Sequence, residues 1–409
     1  MRVLIVAGNI SARMGGEAVI PLHYIRELTK AGVEVHALTH ARVREELQAH
    51  PAWRPDRFHF IEDSGAEKAI HAAGKRAPGA LRETLFLSGV GLVTQARLAR
   101  VARTLAHQIG ANVIHQPIPV SPAFPSFFSG MPAPVVIGPM NGGMEYPPAF
   151  AKDYSQGSGA VISAARLFAG VGNRLAPGKR QAAALLVANA RTRSALPPGI
   201  DRARVVEIAE NGVDLEFWNR PLQQKPAAPV FVFVGRLVWW KAVELLLEAM
   251  ESVPDATLRI IGDGPERARL QHQASVSSAS GQIAFEGFRP QAEICSALTA
   301  ATALVLPSMR ECGGAVILEA FACRTPAIAT DWGGPQDYIT QETGFLIAPS
   351  ARASFVEGLA AAMRRLATDP GLASRMGAAA RAHVEAQFTW AAKAHQMIGI
   401  YEDAMKQKA

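Results

Sequence analysis

The sequence predicts an α/β protein made of two Rossmann-like domains. Three observations carry that expectation. Short apolar runs that read as buried parallel strands alternate with helical stretches, and many of them end in a glycine-bearing turn. The length of 409 residues exceeds what one hydrophobic core usually serves. The stretch Pro221-Leu222-Gln223-Gln224-Lys225-Pro226-Ala227-Ala228-Pro229 is polar, proline-rich and without periodicity, so it reads as a linker. The expected domains are residues 1–222 and 223–389, with 390–409 forming a last helix.

Composition narrows the class. A hydrophobic fraction of 49% suits a globular chain. No apolar run reaches the roughly 18 residues of a spanning helix. Met1-Arg2-Val3-Leu4-Ile5-Val6-Ala7-Gly8 is too short for a signal peptide and reads as a first strand. Cys295, Cys312 and Cys323 are too few for a disulfide framework and lack zinc spacing. A cytoplasmic location is therefore expected. The net charge of +7 is uneven: residues 1–222 hold 25 Lys+Arg against 17 Asp+Glu, and the rest 17 against 18. A basic half invites nucleic acid or an anionic membrane. Without zinc-finger spacing or an aromatic-basic RNA motif, no nucleic-acid partner is expected.

In chain order, the first strand leads through Gly8-Asn9-Ile10-Ser11-Ala12-Arg13-Met14-Gly15-Gly16-Glu17 into an amphipathic helix over Ala18 to Lys30. Gly32 ends it, and Val33 to Leu38 is the next strand, completing a βαβ unit. The spacing is not GxGxxG, so no dinucleotide is implied. Leu81 to Gln108 has helical spacing. Lys68, His71, Lys75, Arg76 and Arg82 are basic beside apolar residues, which suits a membrane-facing surface or a solvated helix face equally. Ala111 to Pro117 reads as a strand with His115 near its carboxyl end, where ligands of doubly wound sheets sit. Val135 to Met144 is a strand and glycine turn. Later strands fall at Leu185 to Asn189 and Val205 to Ile208, followed by Glu210-Asn211-Gly212-Val213-Asp214.

Beyond the linker, Val230 to Val234 is a buried strand running into Gly235-Arg236-Leu237-Val238-Trp239-Trp240-Lys241 and a helix from Ala242 to Met250. Arg236 offers a planar fork of donors and Lys241 a mobile point charge, both suited to a diphosphate. Leu258 to Pro265 and Phe285 to Arg289 are strand-and-turn pairs. Ala303 to Leu306 is a strand that enters Pro307-Ser308-Met309-Arg310-Glu311-Cys312-Gly313-Gly314-Ala315-Val316-Ile317-Leu318-Glu319-Ala320, with a helix expected from about Gly314. A helix start there offers free N–H groups to an anion, and its glycines let a ligand approach the backbone. Glu311 and Glu319 flank the turn and suit hydroxyl groups. Pro326 to Pro335 and Gly344 to Ile347 follow, then helices at Phe355 to Leu366, Leu372 to Gln387 and Trp390 to Lys406.

The spacing Glu311-x7-Glu319 resembles the signature of retaining glycosyltransferases of the GT-B fold, family 4. The segments "GRL" with Lys241, "GDGP", "NGVD" and the glycine turn at 333–334 stand in the family's order. Two departures are Ala242, where glycine usually follows the lysine, and Cys312, where phenylalanine or proline is more usual. The resemblance covers nearly the whole chain. It is specific over 230–348 and looser over 1–222.

The resemblance implies two Rossmann-like domains facing across a cleft, with the last helix crossing back to the first domain. It implies retaining sugar transfer from a nucleoside diphosphate sugar to a hydroxyl acceptor; the basic surplus of residues 1–222 points to a lipid-linked saccharide, as in polysaccharide biosynthesis, and the alternative is a soluble small acceptor with the charge serving solubility. "GPxxGG" segments like that at 138–143 recur in polysaccharide-building members, and by that likeness Asn141 and Glu145 are candidate acceptor contacts. By resemblance, Glu311, His115, Arg236 and Lys241 are catalytic. Gly15, Gly16, Arg236, Lys241, Gly262, Arg289, Cys312, Gly313, Gly314, Ala315 and Glu319 bind the donor. No cofactor and no metal are expected, since no Asp-x-Asp, the metal signature of the other major fold, occurs. A saccharide acceptor and an anionic membrane surface are the other expected partners. The rival readings are a nucleotide-sugar epimerase of the same fold and a non-catalytic partner in a glycan-assembly complex.

Overall fold

The computed structural model describes residues 1–14, 16–74, 88–154, 170, 172–219 and 226–407. The expected calls on Gly15, Lys75, Arg76, Arg82 and most of the linker lie outside them. The chain divides into two compact units, each an α/β unit around a parallel sheet.

The first unit comprises Met1–Gly143, Ser158–Glu210 and Trp390–Ala409. Its strands are β1 (Arg2–Val6), β2 (Glu34–His40), β3 (Phe58–Ile61), β4 (Val113–Gln116), β5 (Val135–Met140), β6 (Ala184–Val187) and β7 (Val205–Glu207). They lie in the order β3-β2-β1-β4-β5-β6-β7, every pair parallel. The continuous apolar run of β1 is explained by cover on both faces. Val3 and Ile5 pack among residues of helices Ile20–Lys30 and Trp390–Lys406, while Leu4 and Val6 pack against helix Ser88–Gln108. The last helix presents Trp390, Ala394, Met397, Tyr401 and Ala404, a 3.6-period stripe, to the first face.

The second unit comprises Met144–Gly157 and Asn211–Thr389. Its strands are β8 (Val230–Val234), β9 (Thr257–Ile261), β10 (Ile283–Gly287), β11 (Ala303–Leu306), β12 (Ala327–Thr330) and β13 (Gly344–Ile347). Their order is β10-β9-β8-β11-β12-β13, again all parallel. The Ala-rich helices run over Arg352–Thr368 and Pro370–Gln387, and the Asp369 side chain caps the second by accepting from Leu372 N–H at 2.8 Å.

The units divide differently from the linker reading at 222/223. Residues 211–219 stay with the second unit because Val213 N–H donates to Phe388 O at 2.8 Å and Trp218 is buried. Proline content marks where the chain cannot form regular structure, whereas contacts decide which core a segment joins. Residues from Met144 also leave the first unit. Trp332 Nε1–H donates to Glu145 O at 2.8 Å, and Phe150 meets Phe355 ring to ring at 5.9 Å.

Candidate functional site

In the second sheet, β8 and β11 are neighbours from which the chain leaves to opposite sides. A crevice forms beyond the carboxyl ends of two such strands. The turns leaving them are the two motif segments. After β8 comes Gly235 and a short 3₁₀ turn, Trp239–Lys241. After β11 comes the stretch to Gly314, which caps helix Ala315–Ala322. The two turns are tied together: Met309 N–H donates to Trp240 O at 2.9 Å, and the Lys241 ammonium pairs with Glu311 Oε2. Ser308 Oγ–H donates to the same carboxylate oxygen at 3.3 Å. The turn after β12 joins through Gly334 N–H, which donates to Glu311 O at 2.7 Å. A Cβ at Gly334 would stand 2.3 Å from Cys312 O, so only glycine permits that stacking.

The side chains of Lys241 and Glu311 are 16% and 14% exposed. That is open enough for a ligand to reach them. It is also sheltered enough for the charges to act more strongly than they would in bulk water. Gly314 adopts φ +70°, and no side chain caps the helix it starts. The first N–H groups of that helix are therefore available to an anion. Gly313 is buried, while Cys312 and Ala315 are partly exposed. One turn further along, Glu319 is partly buried, and among the described residues no side chain donates a hydrogen bond to it. Burial pushes its carboxyl up to about 7, with the nearby Cys295 thiol adding to the shift.

Arg236 is exposed, and no ion pair of its guanidinium is found among the described residues. Arg289 lies 3.5 Å from Glu286 and 3.4 Å from Glu293. Gly262 has a packing reason of its own: at φ +140° its Cβ would stand 1.9 Å from Gly235 O. Lys241, Glu311 and the Cys312–Ala315 backbone thus lie in adjoining turns of one unit, and Glu319 lies in the helix that follows.

The first unit differs from the expectation at His115 and Asn141. His115 lies inside β4, fully buried, and not at an open strand end. Its Nε2–H donates to Gly138 O at 2.7 Å, which leaves Nδ1 to accept from the Tyr401 hydroxyl at 2.7 Å. Burial lowers its pKa to about 4, so the ring is neutral and fully engaged. It fixes the last helix to the sheet and cannot reach a sugar. Asn141 is buried, with its Nδ2 donating to Glu210 Oε2 at 2.7 Å, so it is no acceptor contact. Glu145 is exposed but belongs to the second unit. Gly16, at φ +55°, has open space where a Cβ would be.

Ser308, Gly334 and Ala242 are site residues that the sequence reading missed. Ala242 follows Lys241 in the left-handed region at φ 51°. The missing glycine in the motif was the available signal, since that conformation favours glycine. A metal fits poorly at the one grouping that offers three ligand-type side chains among the described residues, His40, Asp63 and Glu67. His40 Nδ1 accepts from Arg42 N–H at 3.1 Å, so Nε2 carries the proton and is not free as a metal ligand. Glu67 is occupied by Ser64, Thr94 and Arg97.

Residues 214–383 match the family "Glycosyl transferases group 1". A glycogen synthase of Mycobacterium tuberculosis is 32% identical over 202 residues, 48% of each chain. The "GDP-mannose-dependent monoacylated alpha-(1-6)-phosphatidylinositol monomannoside mannosyltransferase" of Corynebacterium glutamicum is 31% identical over 218 residues, 51% of this chain and 55% of that one. The chain thus spans about half the length of the curated relatives it matches. HepE of Anabaena, solved with UDP and glucose, superposes with a TM-score of 0.64 at 17% identity and covers 98% of each chain. That likeness shows the fold: two Rossmann-like units of the GT-B kind. The segment that matches the group 1 family is the one that carries Arg236, Lys241, Glu311 and Glu319.

Proposed function

We propose that the chain transfers a sugar from a nucleoside diphosphate sugar to a hydroxyl acceptor, with retention at the anomeric carbon. The observation that carries this reading is the Lys241–Glu311 pair beside an uncapped helix start at a sheet switch point. As the bond from sugar to diphosphate breaks, negative charge gathers on the leaving group and positive charge on the sugar ring. Lys241, Arg236 and the helix N–H groups meet the first, doing the work a metal does elsewhere. The Glu311 carboxylate meets the second. Glu319 accepts from ribose hydroxyls. No nucleophile stands among these residues, so departure and attack on the same face is the mechanism favoured.

The acceptor is proposed to be a lipid-linked saccharide. The C. glutamicum relative's name places a mannosyl group on a phosphatidylinositol glycolipid. Residues 1–222 carry the basic surplus, and Lys68 and His71 are exposed on helix Gly65–Gly74. No described helix is long and apolar enough to cross a membrane, so the contact proposed is peripheral. Incubation with UDP- and GDP-sugars, followed by proton NMR of the first-formed product, tests the reaction. The expected product keeps the donor's anomeric configuration; inversion would overturn the reading. Sedimentation with anionic vesicles, weakened by salt, tests the docking.

A further inference from the structure

The chain passes to the second unit after Gly143, and the segment Met144–Tyr154 packs there. It is too short to have a core of its own. Pro147 and Pro148 keep its first half from continuing as a helix. Its aromatic side chains at 146, 150 and 154 therefore bury their rings against other elements. Phe150 meets Phe355 of helix Arg352–Thr368 at 5.9 Å. The Tyr154 hydroxyl donates to Glu244, in the helix that follows Lys241. These contacts anchor the far half of the segment.

The near half meets the turns that leave β8, β11 and β12. At Gly333, φ +78°, a Cβ would stand 2.5 Å from Met144 Cε and 2.6 Å from Glu311 O, so both close on a residue that has none. Trp332, beside it, bonds to Glu145 O. Tyr146 then meets the other two turns with one ring. Trp239 lies 5.8 Å from it, tilted by 31°, and the Arg310 guanidinium stands over it at 5.7 Å. Trp239 is two residues before Lys241, and Arg310 is next to Glu311. Arg310 is exposed and has no ion pair among the described residues, so the ring is what holds its head group. A lysine ammonium on a flexible stem takes its aim from the backbone beneath it. What fixes the two turns thus fixes the Lys241–Glu311 pair.

We infer that Tyr146 is a positioning residue for the proposed sugar transfer, and that Met144–Tyr154 is a strap holding the turns after β8 and β11 in register. The inference builds on that reading of the site and adds a residue to it. Both contacts of Tyr146 belong to its ring, so Tyr146→Phe keeps them and Tyr146→Ala removes them. Hydrogen–deuterium exchange on the full chain reads the strap without any substrate. Tyr146→Ala should speed exchange several-fold over 236–242 and 308–314 and leave β8 and β11 unchanged, while Tyr146→Phe should match the parent chain. Arg310→Gln, an exposed change that keeps the Trp239 contact, should loosen 308–314 alone. Unaltered exchange in both turns, or faster exchange throughout the second unit, would overturn the strap. Kinetics with UDP-glucose and GDP-mannose read its consequence. Tyr146→Ala should lower kcat about tenfold at nearly constant donor KM, since misaimed charges cost the transition state most, and phenylalanine should restore it. In a Lys241→Ala background the same change should cost little more. Full kcat with loosened turns, or an undiminished cost in that background, would remove the positioning role. Failure of UDP and GDP to bind in calorimetry would strike the proposed function instead, and exchange would still decide the strap.

Discussion

The two sheets have the same kind of switch point and use it in opposite ways. In the second unit the turns beyond β8 and β11 meet through the Lys241–Glu311 ion pair, at partial exposure. In the first unit the residue in the matching strand, His115, is sealed between Gly138 and Tyr401. The cause is strand alternation. Val113 and His115 share the face covered by helix Trp390–Lys406, so the imidazole points at Tyr401. Ile114 and Gln116 share the other face, and Gln116 reaches Gln95. A residue placed in a turn keeps its side chain partly open to solvent. A residue one step inside the strand gives its side chain to the core.

The largest effect that would test this contrast concerns the charged pair. Lys241→Ala and Glu311→Ala should each lower kcat on the order of 10²-fold or more, as expected for a positioned electrostatic group. The double variant should lose little more than either single one, because the two groups act as a unit. Steady-state kinetics with thermal melts as a folding control would check this. Near-normal turnover in both single variants would remove the basis for treating the second switch point as the reactive one.

For His115 the expectation is reversed. His115→Ala should leave the Tyr401 hydroxyl and Gly138 carbonyl buried without partners, destabilising the fold by roughly 2–5 kcal/mol while kcat at a permissive temperature stays within a few fold. A hundredfold fall in kcat with an unchanged melt would return His115 to the chemistry.

Titration distinguishes the same two regions. The folded pKa of His115, about 4, lies below its ordinary 6.5, so the unfolded chain binds the extra proton and stability falls as pH drops through that window. Glu319 is opposite: its folded pKa of about 7 lies above the ordinary 4.5, so stability falls as pH rises from 4.5 to 7. Urea unfolding from pH ~5 to ~8 should show Glu319→Gln losing less stability on the alkaline side than the parent chain. Parallel curves would mean that Glu319 is solvated in the fold.

These cases also mark what the sequence made legible. Strands, their order of motifs and the neighbouring turns that carry Lys241 and Glu311 could be read because apolar runs, glycines and charges lie close together in the chain. The pairing of Asn141 with Glu210 and of His115 with Tyr401 spans 69 and 286 residues, which no local pattern encodes. The membership of Met144–Tyr154 in the second unit rests on Phe355 and Trp332 in the same way. Proline content suggested a boundary at 222 because it reports on backbone freedom and is silent about contacts.

The smallest expected effect lies at Ala242, between the ion pair and its helix. Its φ of 51° is a conformation in which an L side chain crowds the following carbonyl, at a cost of about 1–2 kcal/mol. Glycine would relieve that strain but would enlarge the unfolded ensemble by about 0.4–1 kcal/mol and remove a fully buried methyl group. These terms nearly cancel, so Ala242→Gly should move the melting temperature by no more than a few degrees. Ala242→Val adds a β-branch at a φ that disfavours it and should destabilise clearly. Its more telling readout is kinetic. If the left-handed turn aims Lys241, the valine variant should lose kcat in step with Lys241→Ala, and the glycine variant should keep it. Valine at full kcat would show that the ammonium finds Glu311 without help from this turn.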